Sequence, residues 1–87
     1  MSSFTHMVPG RRYRVVQAFT DFDGRVHSVG EVWTFSGENF LPYDDGLSLF
    51  VTINGQEEHI RMRLHPEDQG PLVDNFAAYL VEEASPA

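Results

Sequence analysis

Few residues in this chain are equipped for chemistry. Asp44 and Asp45 sit side by side in the stretch FLPYDDGLSLFV, between a proline and a glycine. As a catalytic acid–base pair they would need separate environments that drive their pKa values apart. Adjacent side chains either diverge or share the same solvent, which works against that role. A calcium loop spaces its acids alternately through twelve residues, and that pattern is absent. Turn chemistry fits better. Pro42 stiffens the approach, an aspartate oxygen takes a local backbone N–H, and Gly46 is expected to adopt the positive φ that other residues avoid.

The histidines are His6, His27, His59 and His65, and no pair has the spacing of a helical zinc motif. There is no nucleophile elbow and no glycine-rich phosphate loop. Cysteine and lysine are both absent, which removes thiolate and Schiff-base chemistry. The expectation is therefore a protein that is not an enzyme, with no catalytic residue, cofactor or metal ligand. His59, Arg61 and Arg63 share one strand face and could grip a phosphate or carboxylate. The simpler reading pairs them with nearby acids such as Glu57, Glu31 or Glu38. Trp33, Phe40 and Tyr43 could line the mouth of a small barrel beside Asp21, Asp23, Asp44 and Asp45. Large aromatics also fill small cores, and that use is the more common. The candidate binding surface is accordingly Trp33, Phe40, Tyr43, Asp44, Asp45 and Arg61.

The elements that must position these groups are mostly strands. Arg12 to Phe19 reads as a strand of imperfect alternation, and Asp21 to Gly24 as a turn leading to a ragged return arm. Glu31 to Phe35 is rich in β-formers. Leu47 to Ile53 alternates cleanly, with Leu47, Leu49, Val51 and Ile53 on one face and Phe50 on the other. Asn54-Gly55 is a strong signal for a type I′ hairpin. In the return strand Ile60, Met62 and Leu64 oppose His59, Arg61, Arg63 and His65. Between Pro71 and Glu82 the apolar residues Leu72, Val73, Phe76, Ala77 and Leu80 switch to helical spacing, with Gly70 as a possible cap. The predicted fold is mainly β (α+β), a small antiparallel SH3-like barrel or half-barrel of four to five strands with one C-terminal helix. Phe50 is expected to be covered by that helix or by the Trp33 and Phe40 region. The domain is placed at residues 10–83, with flexible ends at 1–9 and 84–87.

Composition bounds the function. Eighty-seven residues, 41% hydrophobic and 13% aromatic, make one domain with a real core. The net charge is −7 and all six basic residues are arginine, so nucleic acid is not the expected partner. No apolar run reaches the ~20 residues of a membrane span, and MSSFTHMVPG has no signal-peptide pattern. A soluble, cytoplasmic protein is expected, as monomer or weak homodimer.

The segments YRVVQAFTDFDGRVHSVGE, VGEVWTFSGENFLPYDDGLSLFV and EEHIRMRLHPEDQGPLVDNFAAYL resemble a family of small bacterial proteins classed as a domain of unknown function. The resemblance runs from Pro9 to Val81 through Asp23-Gly24, Gly30-Glu31, Trp33, the FLPYDDGLSLF run and His59-Ile60-Arg61. It implies no activity, cofactor or substrate, so it transfers no functional residue. What remains is a domain expected to bind another protein through an acidic, aromatic surface. The alternatives are an immunity-type protein that neutralises a basic toxin and a small-ligand binder. The latter would require at least three of His27, His59, Arg61, Asp44 and Asp45 to converge in one concave site.

Overall fold

The computed structural model describes residues 5–83. Its seven strands are β1 (Arg12–Val15), β2 (Phe19–Thr20), β3 (Val26–His27), β4 (Val32–Leu41), β5 (Gly46–Ile53), β6 (Gln56–Arg63) and β7 (Leu80–Glu82). A five-residue helix, α1 (Gly70–Asp74), and a 3-10 turn at Phe76–Ala78 precede β7. Five strands form one antiparallel sheet in the order β6-β5-β4-β1-β7, and β2 and β3 form a separate ribbon. The fold is mainly β, as expected, but the sheet does not close into a barrel. Its outer strands β6 and β7 do not pair. The ribbon reaches the β6 edge instead, where the Phe22 N–H donates to the Arg61 carbonyl at 2.9 Å.

The β4-β5-β6 meander follows from alternation. Leu47, Leu49, Val51, Ile53, Ile60 and Met62 are all buried on one face. At the β5–β6 hairpin Asn54 and Gly55 both have positive φ, 53° and 79°, as a type I′ turn requires. In β4 the register shifts between Phe35 and Gly37, a bulge at Ser36. Trp33, Phe35 and Phe40 cannot share a face under strict period two, since five positions separate Phe35 from Phe40. The extra residue resets the phase, so that Phe35 pairs with Val51 and Phe40 with Leu47 on the same inner side.

The C-terminal segment departs from its sequence pattern. The apolar spacing predicts helix to Glu82, yet the α-helix ends at Asp74, Asn75 (φ −121°) separates it from the 3-10 turn, and Leu80–Glu82 pairs antiparallel with β1. A five-residue helix gains few hydrogen bonds for its nucleation cost. Three ladder positions on β1 outweigh it, and they cover what would otherwise be the sheet edge. The cap is Gln69 rather than Gly70. Gly70 serves a different purpose: a Cβ there would lie 2.7 Å from the His65 carbonyl oxygen.

Packing also begins earlier than Pro9. Met7 belongs to the core, Thr5 is buried, and the Val8 N–H donates to the Tyr13 hydroxyl at 2.7 Å. A single apolar residue in a patternless segment leaves no periodic trace, which is why the sequence places these residues in a loose end. The remaining end residues, 1–4 and 84–87, lie outside the described part. The expectation that Phe50 is covered fails. It stays 41% exposed: Val73 and Phe76 of the C-terminal segment pack into the core on the opposite face, and on the outer side the His59 ring stacks on Phe50 at 5.1 Å.

Candidate functional site

The FLPYDDGLSLFV stretch forms the end of β4, a tight turn and β5. Asp45, not Gly46, takes the positive φ (54°). Asp tolerates that region through local hydrogen bonding. The Asp44 Oδ1 accepts the Gly46 N–H at 3.0 Å. A Cβ on residue 46 would meet that same oxygen at 2.7 Å, so glycine makes room for the carboxylate. Asp45 faces elsewhere, with its Oδ2 2.9 Å from the His65 Nε2. The two carboxylates therefore do not act as a pair.

On the outer face of the sheet the cross-strand rows are Leu41–Gly46–Arg63, Asn39–Ser48–Arg61 and Gly37–Phe50–His59. Small residues at 46 and 48 leave a groove of about 370 Å³. Leu41 and Asp44 wall it on the hairpin side, and Phe22, Arg61 and Arg63 on the other. His59 lines its end beside Phe50. Both guanidiniums lie 5.8 Å from the centre of the Phe22 ring. Arg61 is held by both oxygens of Asp23, at 2.9 and 3.2 Å. The Arg63 Nε is a buried donor without a hydrogen-bond partner, 4.0 Å from Asp68. The pairing acids are thus Asp23 and Asp68, supplied by loops, rather than Glu57, Glu31 or Glu38.

Of the residues singled out from sequence, Asp44, His59 and Arg61 converge in this groove. Tyr43 stands 83% exposed on the hairpin, and Phe40 is half-buried against the core. Trp33 leaves the candidate surface altogether. It is fully buried, with Phe19 and His27 edge-on to its ring. Among the described residues, no three His, Asp or Glu side chains are placed to hold a metal ion.

His27 is the residue whose setting differs most from its sequence reading. It has no solvent exposure, although its neighbours Val26 and Val29 are 60% and 65% exposed. Its Nε2 lies 2.9 Å from the Asp21 Oδ2 and its Nδ1 2.7 Å from the Glu31 Oε2. The Trp33 indole N–H donates to that same Glu31 oxygen at 2.6 Å. Asp21 Oδ1 accepts the N–H groups of Asp23 and Arg25, each at 3.0 Å, which shapes the turn carrying Phe22. A neutral imidazole has one N–H and satisfies one carboxylate. The two carboxylates approach opposite ring nitrogens, so the three groups cannot converge on one ion. Their effect is to fasten the ribbon, and with it one groove wall, to the core. At the ribbon's far side Arg25 meets Glu58 at 2.7 Å, and that hydrogen bond raises the guanidinium pKa above its ordinary value.

This geometry can be set beside known proteins. The profile of a family described as a domain of unknown function, DUF3601, matches residues 3–81. The chain belongs to the DUF3601 family. Among solved structures, this DUF3601 domain is similar to an integron cassette protein from the mobile metagenome of Vibrio cholerae. The two are 34% identical with a TM-score of 0.89, over 95% of this chain and 92% of the other. No curated protein matches. No helix among the described residues is long and apolar enough to cross a membrane.

Proposed function

We propose that this DUF3601 domain is a non-enzymatic binding module that takes a segment of a partner protein on the outer face of its sheet. The observation that carries this reading is the groove over Gly46 and Ser48, with Phe22 and Leu41 exposed on its walls and Phe50 exposed beside His59 at its end. Apolar side chains gathered about a concave, part-polar surface are what protein interfaces use. Two of the groove's polar groups are held in place, Asp44 by a backbone N–H and Arg61 by Asp23, while the Arg63 Nε keeps a donor without a partner. Pre-oriented polar groups beside apolar surface suit recognition of a partner segment. A cysteine-free chain also suits a reducing cytoplasm.

Ser48→Tyr tests this by filling the groove floor from a half-buried outer-face position. Immobilised wild-type domain is expected to capture a partner from lysate of the source cell. Ser48→Tyr should lose that partner, and Val29→Ser, on an exposed loop, should keep it. Equal capture by all three, or capture by none, overturns the proposal.

A further inference from the structure

A second depression, of about 270 Å³, adjoins the groove on the same face. It is lined by Ser36, Phe50, Glu57 and His59 among others. His59 borders both hollows, so the Phe50–His59 stack is the septum between them. Each hollow contains one carboxylate, Asp44 in the first and Glu57 in the second, that no arginine of the chain neutralises. The six arginines go elsewhere: Arg11 to Glu82, Arg12 and Arg14 to Glu83, Arg25 to Glu58, Arg61 to Asp23 and Arg63 to Asp68. Arg61 and Arg63 line the first hollow but lie against Asp23 and Asp68, so in a chain of net charge −7 Asp44 and Glu57 are left without an arginine partner.

Taking the outer face as the binding surface, we propose that its occupant is an extended, basic segment of a partner protein. Two of its arginine or lysine side chains enter the hollows on either side of the Phe50–His59 septum. Along β5 the first hollow is lined at Gly46–Ser48 and the second at Phe50–Val51. At ~3.4 Å per residue these lie on the order of 10 Å apart, the reach of side chains two to four residues apart in an extended chain. Leu41 and Phe50 offer apolar surface to the aliphatic stems, which bury readily while the charged head meets a carboxylate. Asp44 is pre-oriented by its bond to the Gly46 N–H, which lowers the ordering cost on association. Arg61 and Arg63 form the opposite wall of the first hollow and repel a cation from it. They fix the incoming head on the hairpin side.

The test uses an acetylated, amidated heptapeptide of alternating glycine and arginine, with its glutamate counterpart as control. Each is titrated into the isotopically labelled domain while backbone amide shifts are followed. The arginine peptide is expected to move the amides of Ser48, Phe50 and His59 and to weaken as salt screens the contacts. Asp44→Asn keeps the oxygen that caps Gly46 and removes only the charge; Glu57→Gln does the same at an exposed site. Each should weaken binding about 1.4- to 5-fold, the yield of one exposed ion pair. Equal binding of the glutamate peptide, or undiminished binding by both variants, overturns the inference. If the Ser48-dependent partner is captured but the arginine peptide does not bind, this inference fails and the binding face survives. If capture ignores Ser48→Tyr, the face itself is wrong.

Discussion

Replacing His27 by alanine should remove a large part of this domain's stability. The substitution removes a fully buried imidazole that bonds two carboxylates, at 2.9 and 2.7 Å. Asp21 keeps two backbone donors and Glu31 keeps the Trp33 indole, so each acid loses one of its bonds rather than all of them. Hydrogen bonds to charged groups contribute about 1.5–3 kcal/mol each. Breaking a buried pair by deleting one partner costs about 3–5 kcal/mol. The lost stack on Phe19, at 5.0 Å, adds about 0.5–1.5 kcal/mol. Pair and stack together give a cost of about 3.5–6.5 kcal/mol, against a total stability of about 4–13 kcal/mol at this length. The assay is urea denaturation followed by fluorescence of Trp33, the only tryptophan, whose ring centre lies 5.4 Å from that of His27. Adding Glu31→Gln to His27→Ala should recover part of the loss, because it removes one stranded charge. A loss below about 1 kcal/mol for His27→Ala, or no recovery in the double variant, would refute the buried charged network.

Other substitutions separate the structural roles. Gly70→Ala should cost about 1–3 kcal/mol, since the Cβ meets a backbone carbonyl at 2.7 Å. Gly46→Ala should cost less, about 1 kcal/mol, because it meets the end of an exposed side chain that can swing away. Thermal melts of both variants check that order. Asn54→Ala should lose about 1–2 kcal/mol at a left-handed position, whereas Asn54→Gly stays near wild type, as read by denaturant midpoints. Phe50→Ala should cost at most about 1 kcal/mol on its half-open face, and Phe35→Ala about 3–5 kcal/mol in the core. Equal losses at the two phenylalanines would show that the outer face is packed.

The central meander was legible because its signals were local. Period-two alternation in Leu47–Ile53 and Ile60–Leu64 and the Asn54-Gly55 turn each depend on neighbours along the chain. What the sequence hid depends on partners far along it. Leu80 carries the spacing of a helix and becomes part of a strand only because β1 offers an edge. The Ser36 bulge has no residue signature, yet it decides that Phe40 faces inward. His27 is the sharpest case. A two-residue strand is too short to show alternation, and there the hydropathy order inverts: valines exposed, histidine buried. The i, i+4 relation of His27 to Glu31 and the nearby Trp33 were the available clues, and both are common by chance. At the candidate site, Asp44 and Arg61 were legible as outward-facing charges. Phe22 was not, since its place on the groove wall depends on how the ribbon docks.

Hydrogen–deuterium exchange of the domain, alone and with its captured partner, tests the outer-face binding surface most directly. Added protection is expected over Gly46–Phe50 of β5 and His59–Arg63 of β6, with α1 and β7 unchanged. Protection confined to α1 and β7, with the groove strands exchanging as in the free domain, would contradict it.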